Sequence, residues 1–218
     1  MLCACGLAAE ARIARAAGLA VVVGGGDRER TAALVGRAAE HADWLVSFGI
    51  AGGLAANLIP GTVIVSAEVI GEDGAWRVAS SDRDIVSAFA RRIGAIEGPV
   101  FGAAAILATP EQKSRVFAAT GALAVDLESD IVARAAAARG IPFLVLRAIA
   151  DAAGRRLPPA ALLPLATDGR PDLTRVVATL LRRPSQLPGL IALAGDARRA
   201  LRALVGPARA LGGTLAAT

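Results

Sequence analysis

Metal-binding side chains are scarce in this sequence. Its cysteines are Cys3 and Cys5, and its single histidine is His41. That set cannot build a structural zinc site, which takes four nitrogen or sulfur ligands. The cysteines stand two apart, so on a strand they point the same way, and they are too close in sequence for an ordinary disulfide. They read as small core residues of a first strand in a reducing compartment. No metal or redox cofactor finds a ligand set. Long apolar runs are missing as well. Hydrophobic residues make up 55% of the chain, yet no run reaches the roughly 18 residues of a membrane span. The longest, "LAVVVGGG" and "IPFLVLRAIA", are of buried-strand length. No basic stretch precedes the first apolar residues, so no signal peptide is expected, and the expected location is the cytoplasm. No internal repeat is visible.

Lysine is almost absent: Lys113 is the only one, and nearly all positive charge is arginine. That charge is unevenly spread. Residues 170–218 carry eight arginines against Asp172 and Asp196, a net +6, while the rest of the chain sums to −1. The basic segment is either a solvated helix face or a surface for phosphates, an anionic membrane or a partner. The inner membrane surface is therefore a candidate location for peripheral contact.

The 218 residues suit one domain, able to bury roughly 70% of its unfolded surface without staples. Short apolar runs alternate with helical stretches. "LCAC", "LAVVV" and "DWLVSFGIAGGL" read as strands. "GTVIVSAEVIGEDGAWRVA" reads as a hairpin turning at Glu72–Asp73–Gly74. "GPVFGAAAIL", "ALAVDLE" and "PFLVLRAIA" read as further strands. Between them come helices with Asp27, Ser81 or Asp82, and Thr109 as N-caps, and Gly140 as a stop. This alternation predicts an α/β fold with a largely parallel sheet covered on both faces. Residues 1–153 are the expected core with the site. Residues 154–218 are expected to form a proline-rich lid and arginine- and leucine-rich helices, with an apolar stripe from Leu187 to Leu204 and a frayed tail from Ala210.

In such sheets ligands bind beyond the carboxyl ends of the strands. Glu10, Gly24–Gly26, Gly49–Gly53, Asp126–Glu128 and Asp151 all fall at those ends, so their convergence predicts a small-molecule site. "VVVGGGD" suits anion contact by backbone N–H groups, or a tight turn. It is not a dinucleotide fingerprint, because the G-x-G-x-x-G spacing is absent. In "VDLES" a period of two puts Asp126 and Glu128 on one face, and a carboxylate can accept both hydroxyls of a diol. Asp151 follows an apolar run broken only by Arg147. Desolvation there raises a carboxyl pKa, as a general acid near neutral pH requires.

Together, "SFGIAGGLAANLIPGTVIVS", "AVDLES" and "GIPFLVLRAIADAA" resemble the purine nucleoside phosphorylase and methylthioadenosine/adenosylhomocysteine nucleosidase superfamily over about residues 3–153. The segment beginning "LPPAALLPLATDGRPD" resembles its hopanoid-associated branch, credited with removing adenine from adenosylhopane. The resemblance implies a three-layer nucleoside-phosphorylase-like fold with a mixed, mostly parallel sheet. It also implies a homo-oligomer and an adenosyl substrate with a lipid-like 5′ group. Glu128 would hold the ribose hydroxyls and Leu127 would pack on the sugar. Asp151 would protonate the adenine, and Ile106 would face the base where relatives carry an aromatic. Glu10 would activate water. In phosphorylase relatives phosphate is the co-substrate instead, and here Gly25, Gly26, Gly52 and Arg12 stand as its candidate contacts. Ile50 replaces the hydroxyl expected in "GIAGG", which leans toward water. Glu10 stands alone where nucleosidase relatives carry a cluster of acids, which leans away from it, so water and phosphate both remain open. Ala104 and Ala150 replace polar residues that support the acid in relatives. The rival readings are a general methylthioadenosine/adenosylhomocysteine nucleosidase and a nucleoside-binding or membrane-associated scaffold with a decayed site.

Overall fold

A computed structural model of the chain describes residues 1–215. Its strands are β1 (Leu2–Cys5), β2 (Ala20–Val23), β3 (Leu45–Gly53), β4 (Val63–Ser66), β5 (Glu68–Gly71), β6 (Gly74–Arg77), β7 (Ile96–Glu97), β8 (Val100–Gly102), β9 (Ala124–Asp126) and β10 (Phe143–Asp151). Its helices are α1 (Ala8–Ala16), α2 (Arg28–Ala38), α3 (Ser80–Ile93), α4 (Pro110–Thr120), α5 (Ser129–Arg139), α6 (Leu173–Arg182), α7 (Leu187–Ala203) and α8 (Val205–Leu215).

One mixed sheet joins all the strands in the order β6-β5-β8-β9-β3-β10-β4-β7, with β1 on β3 and β2 on β1. Most pairings are parallel; β3–β9, β10–β4 and β5–β6 run antiparallel. The two nine-residue strands, β3 and β10, pair along their length at the centre, and every residue of β10 is buried. Period-two alternation divides the core. Cys3, Cys5, Val46, Phe48, Leu144 and Leu146 pack toward α1, α3, α7 and α8. Leu2, Ala4, Leu45, Phe143 and Val145 pack toward α2 and α5. The cysteines are buried and free, as core residues of the first strand. The hairpin turns at Glu72–Asp73, Asp27 and Thr109 cap their helices with side-chain hydrogen bonds, and Gly140 closes α5 in the left-handed region.

Several boundaries differ from expectation. α3 starts at Ser80 behind Ala79, not at a Ser81 or Asp82 cap. β8 stops at Gly102, where a Cβ would collide with Asp130, and residues 103–108 leave the sheet, with Ala105, Ile106 and Leu107 walling the cavity described below. β9 stops at Asp126 because that carboxylate accepts from the amides of Glu128 and Ser129 at 3.0 and 2.8 Å and turns the chain into α5. Asp126 and Glu128 therefore do not share a strand face. On α7 the stripe is only partly inward: Leu187 and Ile191 are exposed, while Ala200 and the following Leu204 are fully buried. The segment from Ala210 continues helix α8 to Leu215, with Leu211 fully buried, rather than fraying. Residues 216–218 of that expectation lie outside the described residues. Of the added C-terminal helices, α7 and α8 pack on the core, while α6 buries no residue.

Candidate active site

Arg147 organises the centre of the molecule. It sits in the apolar strand β10 at 1% exposure, where an uncompensated charge would be prohibitive. Its guanidinium is ringed by acceptors. Nη2 donates to Glu128 Oε2 at 3.0 Å and to Ser47 Oγ at 2.6 Å. Nη1 donates to the Ile50 carbonyl at 3.3 Å. Nε lies 2.7 Å from Asp126 Oδ2, an ion contact rather than an aligned hydrogen bond. Burial pushes the Glu128 carboxyl up, and Arg147 opposes that shift.

Glu10 approaches the same centre from the first turn of α1. Its Oε2 accepts from the amides of Gly6 and Leu7 at 3.0 and 2.8 Å, reaching back across the helix start as a capping residue does. Its Oε1 accepts from the Ile50 amide on β3 at 2.8 Å, a contact no helix cap requires. Burial lifts its pKa to about 7, against the pull of Arg147 and with a push from Glu128.

Asp151 ends β10. Between Ile149 and Asp151 the register against β3 slips by a residue, a bulge of the kind that re-aims a side chain beside a site. A Cβ on the facing Gly52 would stand 3.3 Å from Asp151 Oδ2 and 3.2 Å from Val125 Cγ1, so glycine there leaves room for the carboxylate. Gly6 does the same for Glu128, and Gly49 for Glu10. Asp151 Oδ2 is held by Lys113 Nζ, which also donates to the Ala152 carbonyl at 2.9 Å. Burial raises the Asp151 pKa, and the Lys113 ammonium pulls it back down.

Glu10, Glu128 and Asp151, with Asp126, face one cavity of about 260 Å³. Ile106 and Leu107 form one wall, Val125 and Leu127 another, and Leu157, Ala161, Leu163 and Leu165 of the proline-rich segment the roof. The roof is pinned at both ends. The Leu157 amide donates to the Ala108 carbonyl at 2.8 Å, and the Ala8 amide to the Gly169 carbonyl at 3.1 Å. Strand ends, helix starts and a lid thus converge where open α/β sheets bind ligands.

Residues 20–182 match the family model described as the phosphorylase superfamily. The chain belongs to that superfamily. It is an enzyme of the nucleoside phosphorylase/nucleosidase type. No match is found among curated protein sequences. Among solved structures the chain is similar to the 5′-methylthioadenosine/S-adenosylhomocysteine nucleosidase of Neisseria meningitidis in complex with methylthio-immucillin-A. That likeness has a TM-score of 0.71 and 14% identity, over 100% of this chain and 98% of that one. The S-adenosylhomocysteine nucleosidase of Streptococcus pyogenes, in complex with 5-methylthiotubericidin, gives 0.65 and 15%, over 96% of each chain. Futalosine hydrolase of Helicobacter pylori gives 0.63 and 15%, over 94% of this chain and 96% of that one. At these identities the likenesses establish the fold.

On this superfamily fold the sequence-predicted residues separate into two groups. Glu10, Gly26, Gly52, Ile106, Leu127, Glu128 and Asp151 line the cavity. Gly25 and Arg12 do not. The Gly25 amide donates to the Gly6 carbonyl at 3.2 Å, and the Ala166 and Thr167 carbonyls lie over its α-carbon. Arg12 is exposed on the outer face of α1, where it borders a separate groove with Arg209. Two residues went unread in the sequence. Arg147 was visible as the one charge inside an apolar strand. Lys113 was visible as the only lysine, at helical spacing from Val116 and Thr120 on the inward side of α4. It gives Asp151 the polar support that Ala104 and Ala150 do not.

Proposed function

We propose that this enzyme hydrolyses the N-glycosidic bond of a 5′-substituted adenosine and releases adenine. The observation that carries this reading is the acidic lining. Among the described residues around the cavity, every ionisable side chain is a carboxylate: Glu10, Asp126, Glu128 and Asp151. Such a lining offers a phosphate anion no cation, since Arg147 and Lys113 stand behind Glu128 and Asp151 and not in the wall, and it suits a reaction through a cationic sugar. The amides of Gly6, Leu7 and Ile50, which would cradle a phosphate, already donate to Glu10. Phosphate as co-substrate is accordingly the less favoured course.

In this reading Asp151 donates a proton to adenine N7, a step worth about 10²- to 10⁴-fold. Glu128, with Oε2 on Arg147, accepts the 2′ and 3′ hydroxyls, and Leu127 floors the sugar. As the C1′–N9 bond lengthens, Glu10 takes a proton from the attacking water. A base with a pKa of about 7 is well matched to that work near neutral pH. Ile106 gives the base apolar contact without stacking.

The leucines of the roof favour an apolar 5′ group. With the resemblance of the C-terminal segment, this supports adenosylhopane as substrate, in the synthesis of side-chain-extended hopanoids. The names of the structural neighbours support the second reading, a methylthioadenosine/adenosylhomocysteine nucleosidase. Helix α6 supports peripheral contact with an anionic membrane. No residue of it is buried; Leu173, Val177 and Leu181 are 72, 54 and 80% exposed and fall at helical spacing, with Arg175, Arg182 and Arg183 beside them. No helix among the described residues is long and apolar enough to cross a membrane.

Adenine release from methylthioadenosine, adenosylhomocysteine and an adenosine with a long apolar 5′ group, each with and without phosphate, tests the proposal. Release without phosphate, fastest on the apolar substrate, is expected. Strict phosphate dependence overturns hydrolysis, a preference for the short substrates selects the second reading, and no release from any of them overturns glycosidic cleavage.

A further inference from the structure

Helix α4 turns its back on the core, and its only buried residue is Lys113, at 1% exposure. An ammonium is costly to bury, and nothing in the packing of α4 demands one. Its Nζ is committed to Asp151 Oδ2 and to the Ala152 carbonyl, which leaves Asp151 Oδ1 for a ligand in the cavity. The other charges facing this pair are Arg155 and Asp196, themselves joined at 2.8 Å, with Arg199 on Asp196 at 2.7 Å. Arg155 and Asp196 act on Asp151 in opposite directions, and Lys113 is the cation bonded to it directly.

We propose that Lys113 is a positioning residue and proton reservoir behind Asp151, passing a proton to Oδ2 as Oδ1 protonates the departing purine. The step rests on the reading of Asp151 as the acid and extends it. The Oδ1–H and Nζ–H bonds break while N7–H and Oδ2–H bonds form. Asp151 stays protonated, Lys113 ends as a neutral amine, and its charge passes to the purine. There the electron pair of the broken C1′–N9 bond neutralises it. The proton that water gives to Glu10 returns to Lys113 through solvent. An ammonium can act this way and a guanidinium cannot, because arginine does not give up its proton in proteins. In a chain that otherwise uses arginine, the one lysine stands where a releasable proton is needed.

Two measurements test this. The first compares the native enzyme with Lys113→Arg and Lys113→Met on an adenosyl substrate and on 4-nitrophenyl riboside, whose leaving group needs no protonation. Both variants are expected to lose about 10²-fold or more in kcat on the adenosyl substrate while Lys113→Arg still cleaves the nitrophenyl riboside. Full rescue by arginine would show that a fixed charge suffices and would overturn the proposal. So would native activity of Lys113→Met, or equal losses on both substrates. The second measurement uses ¹³Cε-lysine NMR, in which a chain with one lysine gives a single resonance for Lys113. Asp151→Asn is expected to move that resonance, because Nζ is bonded to Asp151 Oδ2. An unmoved resonance overturns the proposal. Native enzyme inert on every adenosyl substrate would instead overturn the glycosidic reading, and the NMR would still decide the coupling.

Discussion

Arg147 Nη2 and Glu128 Oε2 lie 3.0 Å apart in the interior of the sheet, with Asp126 Oδ2 2.7 Å from Nε of the same guanidinium. One buried cation therefore joins two buried carboxylates from the β9–α5 turn and fixes the residue proposed to hold the ribose. Removing one partner from such a cluster strands the others. Arg147→Met should cost about 3–5 kcal/mol of stability, read as a fall in the denaturant midpoint. Arg147→Lys should recover only part of that loss, because an ammonium lacks the guanidinium's fork of donors.

Glu10 should write the acid limb of the pH profile. Its folded pKa of about 7 means that the basic form appears only as pH rises through that value. Then kcat/KM should climb about tenfold per pH unit below it and level off above it. Glu10→Gln should abolish the limb together with most of the activity. The stability consequence has the opposite sign. The folded state holds this proton where the unfolded chain, near 4.5, has released it. Glu10 therefore makes stability fall as pH rises from about 4.5 to 7, which chemical denaturation at stepped pH can follow.

Gly52→Ala tests the space beside Asp151. The added methyl would press on Asp151 Oδ2 and Val125 Cγ1 at 3.3 and 3.2 Å, so the acid must shift by a few tenths of an ångström. A fall in kcat of about tenfold or more is expected from a misplaced acid, with a melting temperature close to native. Native kinetics would show that the carboxylate tolerates the displacement.

Helix α6 can be altered without touching the core. Leu173→Glu with Leu181→Glu replaces two largely exposed leucines, so stability should stay within about 0.5 kcal/mol of native. Sedimentation with anionic liposomes should fall to background while cleavage of a short-chain substrate is retained. Unchanged sedimentation would place any lipid contact elsewhere.

The convergence of Glu10, Asp126–Glu128 and Asp151 was legible because strand ends in an α/β sheet meet at one edge, and the alternating pattern announced that sheet. The pairing of Cys3 and Cys5 on one core face followed from period two. The geometry inside "VDLES" was not legible. The strand stops at Asp126 because its side chain captures the next amides, a local competition that a period-two reading cannot see. Arg147 and Lys113 were missed because each is defined by partners far along the chain: Lys113 is 38 residues from Asp151, and Arg147 is 100 residues from Ser47. Gly25 looked like a phosphate loop only until the roof at Ala166–Thr167 covered it.

The central claim is that Asp151 is the acid and water the nucleophile. The most direct measurement is adenine release by native enzyme and by Asp151→Asn in phosphate-free H₂¹⁸O, with mass analysis of the sugar product. Incorporation of ¹⁸O at C1′ by the native enzyme, and a loss of at least 10²-fold in the folded variant, is the predicted result. A requirement for phosphate with no ¹⁸O in the sugar, or undiminished release by Asp151→Asn, would contradict the account.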